Sequence, residues 1–347
     1  MELYKQQADD LHAGRTPRET DGDGLTVAEL CNRFLTAKKR KVEANELTAR
    51  SFNEYRQATD LIISNFGKRR LVFDLAADDF ESLRACMAES WGPMRLGKFV
   101  QCIRTAFKYA FESGLIDRPV KFGPEFKRPS ADTLRRHRAA NGKRLFEAME
   151  IRQLLDGKSV KNKSGKIIKP AGASLQLRAM ILLGINCGFG NHDVAELAFS
   201  AVDLRLGIID FPRPKTGINR RCCLWPETVK ALKSAIADRN KPTLETDAAY
   251  IFITKRGNRW IHGTTDAVGA EFTKVTRRLC IKARRGQGFY SLRHTFRTIA
   301  DSTKDFPAIR LIMGHGDGSV DALYREHIDD TRIKFVTAHV RQWLFAP

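Results

Sequence analysis

From residue 26 onward the chain repeats a helical period almost without pause, and that repeat limits the folds open to it. VAELCNRFLTAKKRK (27–41), LTARSFNEYRQATDLIISNF (47–66), DDFESLRACMAES (78–90) and RLGKFVQCIRTAFKYAFESG (95–114) each carry apolar residues three and four apart. Thr26 is placed to cap the first. In the second, Phe52, Tyr55, Leu61, Ile62 and Phe66 lie near one face, and in the fourth Val100, Ile103, Phe107 and Phe111 form one stripe that Gly114 stops. Further helices are predicted over 145–156, 174–188, 226–240 and 329–345. Strand-like runs are few. GIIDFPRP and NRRCCLWP flank Lys215-Thr216-Gly217 as a hairpin, and AYIFIT (249–254) reads as a short strand. The expected class is mainly α with a small antiparallel β-sheet, an all-helical domain followed by an α+β domain.

Composition places these elements in domains. Residues 1–24 are polar and read as a flexible lead-in, 25–120 as the helical domain, 121–144 as a basic, poorly structured interdomain linker, and 145–347 as the second domain, closed by the helix 329–345. That last helix shows Ile333, Val336, Val340 and Trp343 on one face, which packs either on its own domain or on a neighbouring copy. The net charge of +20 over 347 residues points to a polyanionic partner, nucleic acid before an anionic membrane; the alternative is a basic, soluble enzyme. Lys38, Lys39, Arg40 and Lys41 on the first helix, Arg135, Arg136 and Arg138 in the linker, and Arg220 and Arg221 after the hairpin are the expected contacts to a DNA backbone. No apolar run approaches the ~20 residues of a membrane span, and no export signal is expected. Seven cysteines without a CxxC pair suit a reducing cytoplasm. His192 and Asp193 resemble half a metal site, but no second ligand pair follows, so no metal is expected.

Residues 289–328, FYSLRHTFRTIADSTKDFPAIRLIMGHGDGSVDALYREHI, hold SLRHTF, then MGH, then a tyrosine nine residues past that histidine. This resembles the tyrosine recombinase (phage integrase) family, whose members read HxLRHTFAT, LGHSS and a nucleophilic tyrosine at that spacing. RPKTGINRRCCLWP looks like the family hairpin that presents a lysine, and 25–118 looks like its core-binding (SAM-like) DNA-binding domain. The resemblance implies a C-shaped clamp on double-stranded DNA, in the cytoplasm with the nucleoid. It also implies a homo-tetramer that exchanges strands between two sites through a Holliday junction, with no metal, ATP or other cofactor.

Breaking a phosphodiester without a metal needs a nucleophile, a positive clamp on the non-bridging oxygens and an acid for the leaving oxygen. Tyr324 is the candidate nucleophile, Arg293 the clamp, His315 a phosphate or proton partner and Lys215 the general acid. His294 reads as a structural hydrogen-bonder beside Arg293.

Two positions depart from the family pattern. Tyr290 stands where the family has histidine, three residues before the arginine. In the loop NCGFGNHDVAEL (186–197), Gly190 stands where the family has its first catalytic arginine. Losing one charge-stabilising donor typically costs about 10²–10³-fold. Asn191, His192, Arg178, Arg325 and Arg297 are the candidate replacements, as is a backbone N–H of the turn. If the slot is merely empty, an arginine placed at 190 is tolerated and raises cleavage. Two alternatives stay open: a catalytically impaired relative that binds DNA sites as an accessory protein, and a type IB topoisomerase-like enzyme.

Overall fold

The computed structural model describes residues 24–161, 167–168, 171–282, 284, 286–316 and 327–346. Two compact units emerge, Met1–Ala140 and Asn141–Pro347.

The first unit is built from helices α1 (Val27–Glu43), α2 (Ala49–Phe66), α3 (Ala77–Ser90), α4 (Pro93–Glu112) and α5 (Ala131–Ala140). Thr26 caps α1 as its position predicts, its side chain accepting from the Glu29 N–H. Leu30, Phe34, Ile62, Phe80, Val100, Ile103 and Phe107 are buried in its core, where Phe80 meets Phe107 edge-on with ring centres 5.3 Å apart. The stripe of α4 ends sooner than predicted, because Phe111 is 42% exposed. The segment 121–144 is not the poorly structured tether that its composition suggests. Phe126 is fully buried, with its carbonyl held by Arg104 at 2.9 Å, and α5 follows with no buried residue. A single aromatic anchor orders a polar stretch, and a polar helix then grows from it. Lys39, Arg40, Lys41, Arg135, Arg136 and Arg138 are exposed, whereas the Lys38 ammonium lies over the rings of Phe34 and Tyr55.

The second unit centres on α7 (Leu175–Asn186), preceded by α6 (Ala148–Asp156) and the short strands β1 (Val160–Lys161) and β2 (Ile167–Ile168). Every residue of α7 from Gln176 is buried except Arg178, so this helix is apolar nearly all round. After α8 (Asn191–Ala195), strands β3 (Val202–Asp203), β4 (Ile208–Asp210) and β5 (Arg221–Cys223) form an antiparallel sheet with Ile209 opposite both Val202 and Cys222. Then come α9 (Pro226–Ala237), β6 (Ile261–His262), β7 (Thr265–Asp266), α10 (Ala267–Arg278), α11 (Ser291–Ala300), α12 (Phe306–Met313) and α13 (Asp330–Phe345). The run 249–254 is not a strand. Ile251, Phe252 and Ile253 are buried, but the run pairs only through isolated bridges, Tyr250 with Ala198 and Ile253 with Arg259. Its apolar character reflects burial of a loop against the core, which short apolar runs do not distinguish from strand. Helix α13 packs on its own unit through Ile333, Val336, Val340 and Leu344, and Thr337 accepts from the Trp225 indole N–H at 2.8 Å. Leu344 takes the buried place predicted for Trp343, which is half-buried.

Two contacts hold the loop after α7 in place. Gly184 lets α11 come close, since a Cβ there would stand 2.9 Å from Leu292. Asn186, at the end of α7, is fully buried; its amide donates to the Cys223 carbonyl at 3.0 Å and its oxygen accepts from the Trp225 N–H at 2.9 Å and the Thr228 hydroxyl at 3.0 Å. Asn186→Ala strands buried polar groups on β5 and α9. It is expected to lower the unfolding free energy by about 3 kcal/mol in urea titrations, and a loss below about 1 kcal/mol contradicts that role.

Candidate active site

Helix α7 gives way at Cys187 to a turn with Gly188 in the left-handed region at φ +63. A side chain at 188 would also stand 2.9 Å from the Phe296 ring, so the position excludes any Cβ on two grounds. The turn exposes the Gly188 carbonyl toward α11, where it accepts from Arg293 Nη1 at 2.5 Å. Arg293 Nη2 donates to the Met313 carbonyl at the end of α12 and contacts His315 Nε2, both at 2.7 Å. One guanidinium, 2% exposed, thus ties the 188 turn, α11 and the 313–315 turn together. Between α12 and His315, Gly314 adopts φ +60; a Cβ there would come within 2.9 Å of Arg213 Cβ and Arg220 Cγ.

Electrostatics settle the protonation of this pair. Burial, then the charge of Arg293, then those of Arg213, Arg297 and Arg310 push the His315 imidazole down to about 4. Near neutral pH the ring is therefore uncharged, and its Nε2 accepts from Arg293 while the proton sits on Nδ1. The folded-state value lies below the unfolded one. The histidine thus costs no stability above the unfolded pKa, and stability falls as pH drops from there toward 4. NMR titration of the His315 ring in the free protein is expected to give a midpoint near 4; an ordinary histidine midpoint refutes the burial and charge argument.

The ring of Tyr290 sits on Gly190. At Gly190, φ is −93, a value open to any residue. What a side chain there would meet is the ring of Tyr290, 2.9 Å from an added Cβ. The space before Gly190 is therefore covered rather than empty, and a side chain at 190 is not accommodated unless that ring moves. Tyr290 is 46% exposed and packs edge-on against His294, with centres 5.4 Å apart. Among the described residues His294 makes this ring contact and no side-chain hydrogen bond. Gly190→Ala is expected to lose about 1 kcal/mol by overpacking, and the loss is expected to vanish in a Tyr290→Ala background. Equal losses in both backgrounds, in paired unfolding measurements, contradict the contact.

The candidate replacements among the described residues are engaged elsewhere. Asn191 donates to Asp266 at 2.7 Å; His192 pairs with Glu196 at 3.4 Å, a hydrogen bond that raises its pKa. Arg178 donates to the Leu155 carbonyl and to Asp156, each at 2.8 Å, and Arg297 pairs with Asp301. Arg325 and the candidate nucleophile Tyr324 lie outside the described residues. Lys215 is exposed at the hairpin tip, in a turn closed by the Thr216 and Gly217 N–H groups on the Arg213 carbonyl at 3.0 and 2.8 Å.

Arg220 and Arg221 do not behave as backbone-binding cations. Arg220 is buried, its guanidinium 4.1 Å over the Phe189 ring and 3.2 Å from Asp193, whose other oxygen accepts from the Gly190 N–H at 2.6 Å. Arg221 pairs with Asp330 at 2.6 Å and with Asp210. Both arginines are on the strand side of the hairpin, where α8 supplies Asp193 to Arg220, and β4 and α13 supply Asp210 and Asp330 to Arg221. Arg213 was likewise invisible as a site residue, because only the turn at Gly314 brings it near Arg293. Phe211, Arg220, Arg310, His315 and His327 line an open cleft of 600 Å³ here.

Comparison with known proteins places the chain in a family and the fold beside solved structures. Residues 148–330, more than half of the chain, match the phage integrase family. Among solved structures, the 75–356 fragment of lambda integrase, a dimer bound to a COC′ core site, is 14% identical with a TM-score of 0.59, covering 88% of this chain and 99% of that one. Lambda integrase as a tetramer on a Holliday junction is 12% identical at TM-score 0.59, covering 88% of this chain and 81% of that one. The Tn1549 transposon integrase with transposon right-end DNA is 14% identical at TM-score 0.62, covering 91% of this chain and all of that one (100%). No curated protein matches the sequence. The chain belongs to the phage integrase family and is a site-specific DNA recombinase, a DNA strand-transfer enzyme.

Proposed function

We propose that the Arg293–His315 pair binds the scissile phosphate of duplex DNA and that Tyr324 attacks it. The observation that carries this reading is the burial of Arg293 against two carbonyls and His315. Three of its five N–H donors are used there, and two are left for an anion among the described residues. A cation desolvated this far gains strongly from a phosphate partner. The neutral His315 donates its Nδ1 proton to a second phosphate oxygen.

The step balances without a metal. The Tyr324 oxygen forms a bond to phosphorus and gives its proton to solvent water, the bond from phosphorus to the 5′-oxygen breaks, and that oxygen takes a proton from Lys215. The 3′-phosphotyrosyl bond keeps the phosphoester linkage for rejoining when a second 5′-hydroxyl attacks. Tyr324 enters on its place nine residues past His315 in the sequence. Lys215 enters on its place at the tip of the hairpin. The exposed Lys39, Arg40 and Lys41 of α1, with Arg135, Arg136 and Arg138 of α5, contact the duplex backbone. By analogy with the DNA-bound dimers and tetramers among its structural neighbours, four copies act on two sites, on DNA in the cytoplasm. Among the described residues no helix is long and apolar enough to cross a membrane.

A nicked duplex that traps the covalent intermediate tests this. Wild type is expected to give a protein–DNA adduct in denaturing gels, Tyr324→Phe none, and Arg293→Ala about 10²–10³-fold less. Tight binding with no adduct from wild type identifies an impaired accessory DNA binder instead. Relaxation of supercoils without exchange between sites identifies a topoisomerase-like enzyme.

A further inference from the structure

The covered Gly190 leaves this recombinase one cation short, and among the described residues the Arg213 side chain beside its site has no hydrogen-bonded or ion-paired partner. We propose that Arg213, at the base of the Lys215 hairpin, is a catalytic residue that supplies the second clamp on the scissile phosphate, in place of the arginine absent from 190. The proposal rests on the recombinase reading above.

Geometry places Arg213 in the site. Its Cβ lies 2.9 Å from where a Cβ on Gly314 would stand, so its stem runs against the turn that delivers His315. Its backbone is held from both sides: its N–H donates to the Ile218 carbonyl at 2.8 Å, and its carbonyl accepts the two N–H groups that close the Lys215 turn. The side chain therefore departs from a rigid point two residues before Lys215.

Electrostatics single it out. Four arginines bear on His315, namely Arg293, Arg213, Arg297 and Arg310. Arg293 is bonded to carbonyls, Arg297 is paired with Asp301, and Arg310 has a partner of its own. Arg213 is half-buried and has no hydrogen-bonded or ion-paired side-chain partner among the described residues. It is also the foremost charge acting on Arg293. Two like charges held close in a partly desolvated site repel, and an anion between them reverses the sign of that interaction. A pentacoordinate phosphorane, with more negative charge than the diester, gains most.

Arg220 is the competing arginine, and its surroundings make it a positioning residue. Its side chain is wholly enclosed, stacked on Phe189 and already opposite Asp193. It steadies the 188–193 loop, whereas Arg213 keeps its charge available to a ligand.

The test uses the full chain. Inorganic phosphate is titrated against free protein while the His315 ring signals are followed. Arg213→Ala is expected to weaken phosphate binding about tenfold or more, and Arg213→Lys to retain most of it. Adduct formation is then timed on a nicked duplex carrying a site selected by binding to wild type. Arg213→Ala is expected to slow it about 10²–10³-fold with DNA affinity nearly unchanged. A neutral methylphosphonate at the scissile position is expected to restore the rate, because it removes the charge that the clamp must balance. Unchanged phosphate affinity and rate overturn the proposal. So does a loss that the methylphosphonate leaves in place, or the same pattern in Arg220→Ala and not in Arg213→Ala. If wild type gives no adduct while phosphate binding still requires Arg213, the recombinase reading fails and Arg213 loses its catalytic role, the anion site alone remaining.

Discussion

The buried guanidinium of Arg293 is the contact on which the rest of the catalytic unit depends. A desolvated cation is stable only where polar groups replace its water, and here the carbonyls of Gly188 and Met313 do so. Those carbonyls are available because the chain turns at Gly188 and Gly314, both with positive φ in places where a side chain would collide with its neighbours. The α7 terminus, fixed by Asn186, and the α12 terminus are thereby locked to α11 around one charge. His315 is a consequence of the same arrangement: set beside a buried cation, it stays neutral and accepts a hydrogen bond where a charged ring would be repelled.

The hairpin contributes a second layer of charge around this centre. Arg220 crosses from the strand side to Asp193 and stacks on Phe189, so the loop lacking its own arginine is braced by one from elsewhere. Tyr290 covers Gly190 from the other side. The ring of Tyr290 occupies the place that a side chain at 190 would take. A side chain introduced at 190 alone meets that ring.

Much of the fold was legible in the sequence because helical periodicity records which face is buried. Thr26, Gly114 and the hairpin around Lys215-Thr216-Gly217 carried local signals that need no tertiary partner. The linker was misread because one buried ring, Phe126, outweighs the polar residues around it. The run 249–254 was misread because a buried loop and a short strand share the same apolar composition. Arg220 and Arg221 looked like free surface cations because the acids that pair with them, Asp193 and Asp330, are distant in sequence.

The sequence by itself determined the chemistry on offer: an arginine, a histidine and a tyrosine at a spacing that resembles the family's, a lysine on a hairpin, and a glycine where the resemblance implies a cation. These are local or short-range patterns, and side-chain identity suffices to state them. Only the tertiary structure decided the protonation of His315, the covering of Gly190 by Tyr290 and the contrast between an enclosed Arg220 and an Arg213 with no side-chain partner among the described residues. Each of those depends on distance and burial between segments far apart in the chain. Electrostatic energy follows separation in space and local solvent, neither of which the order of residues records.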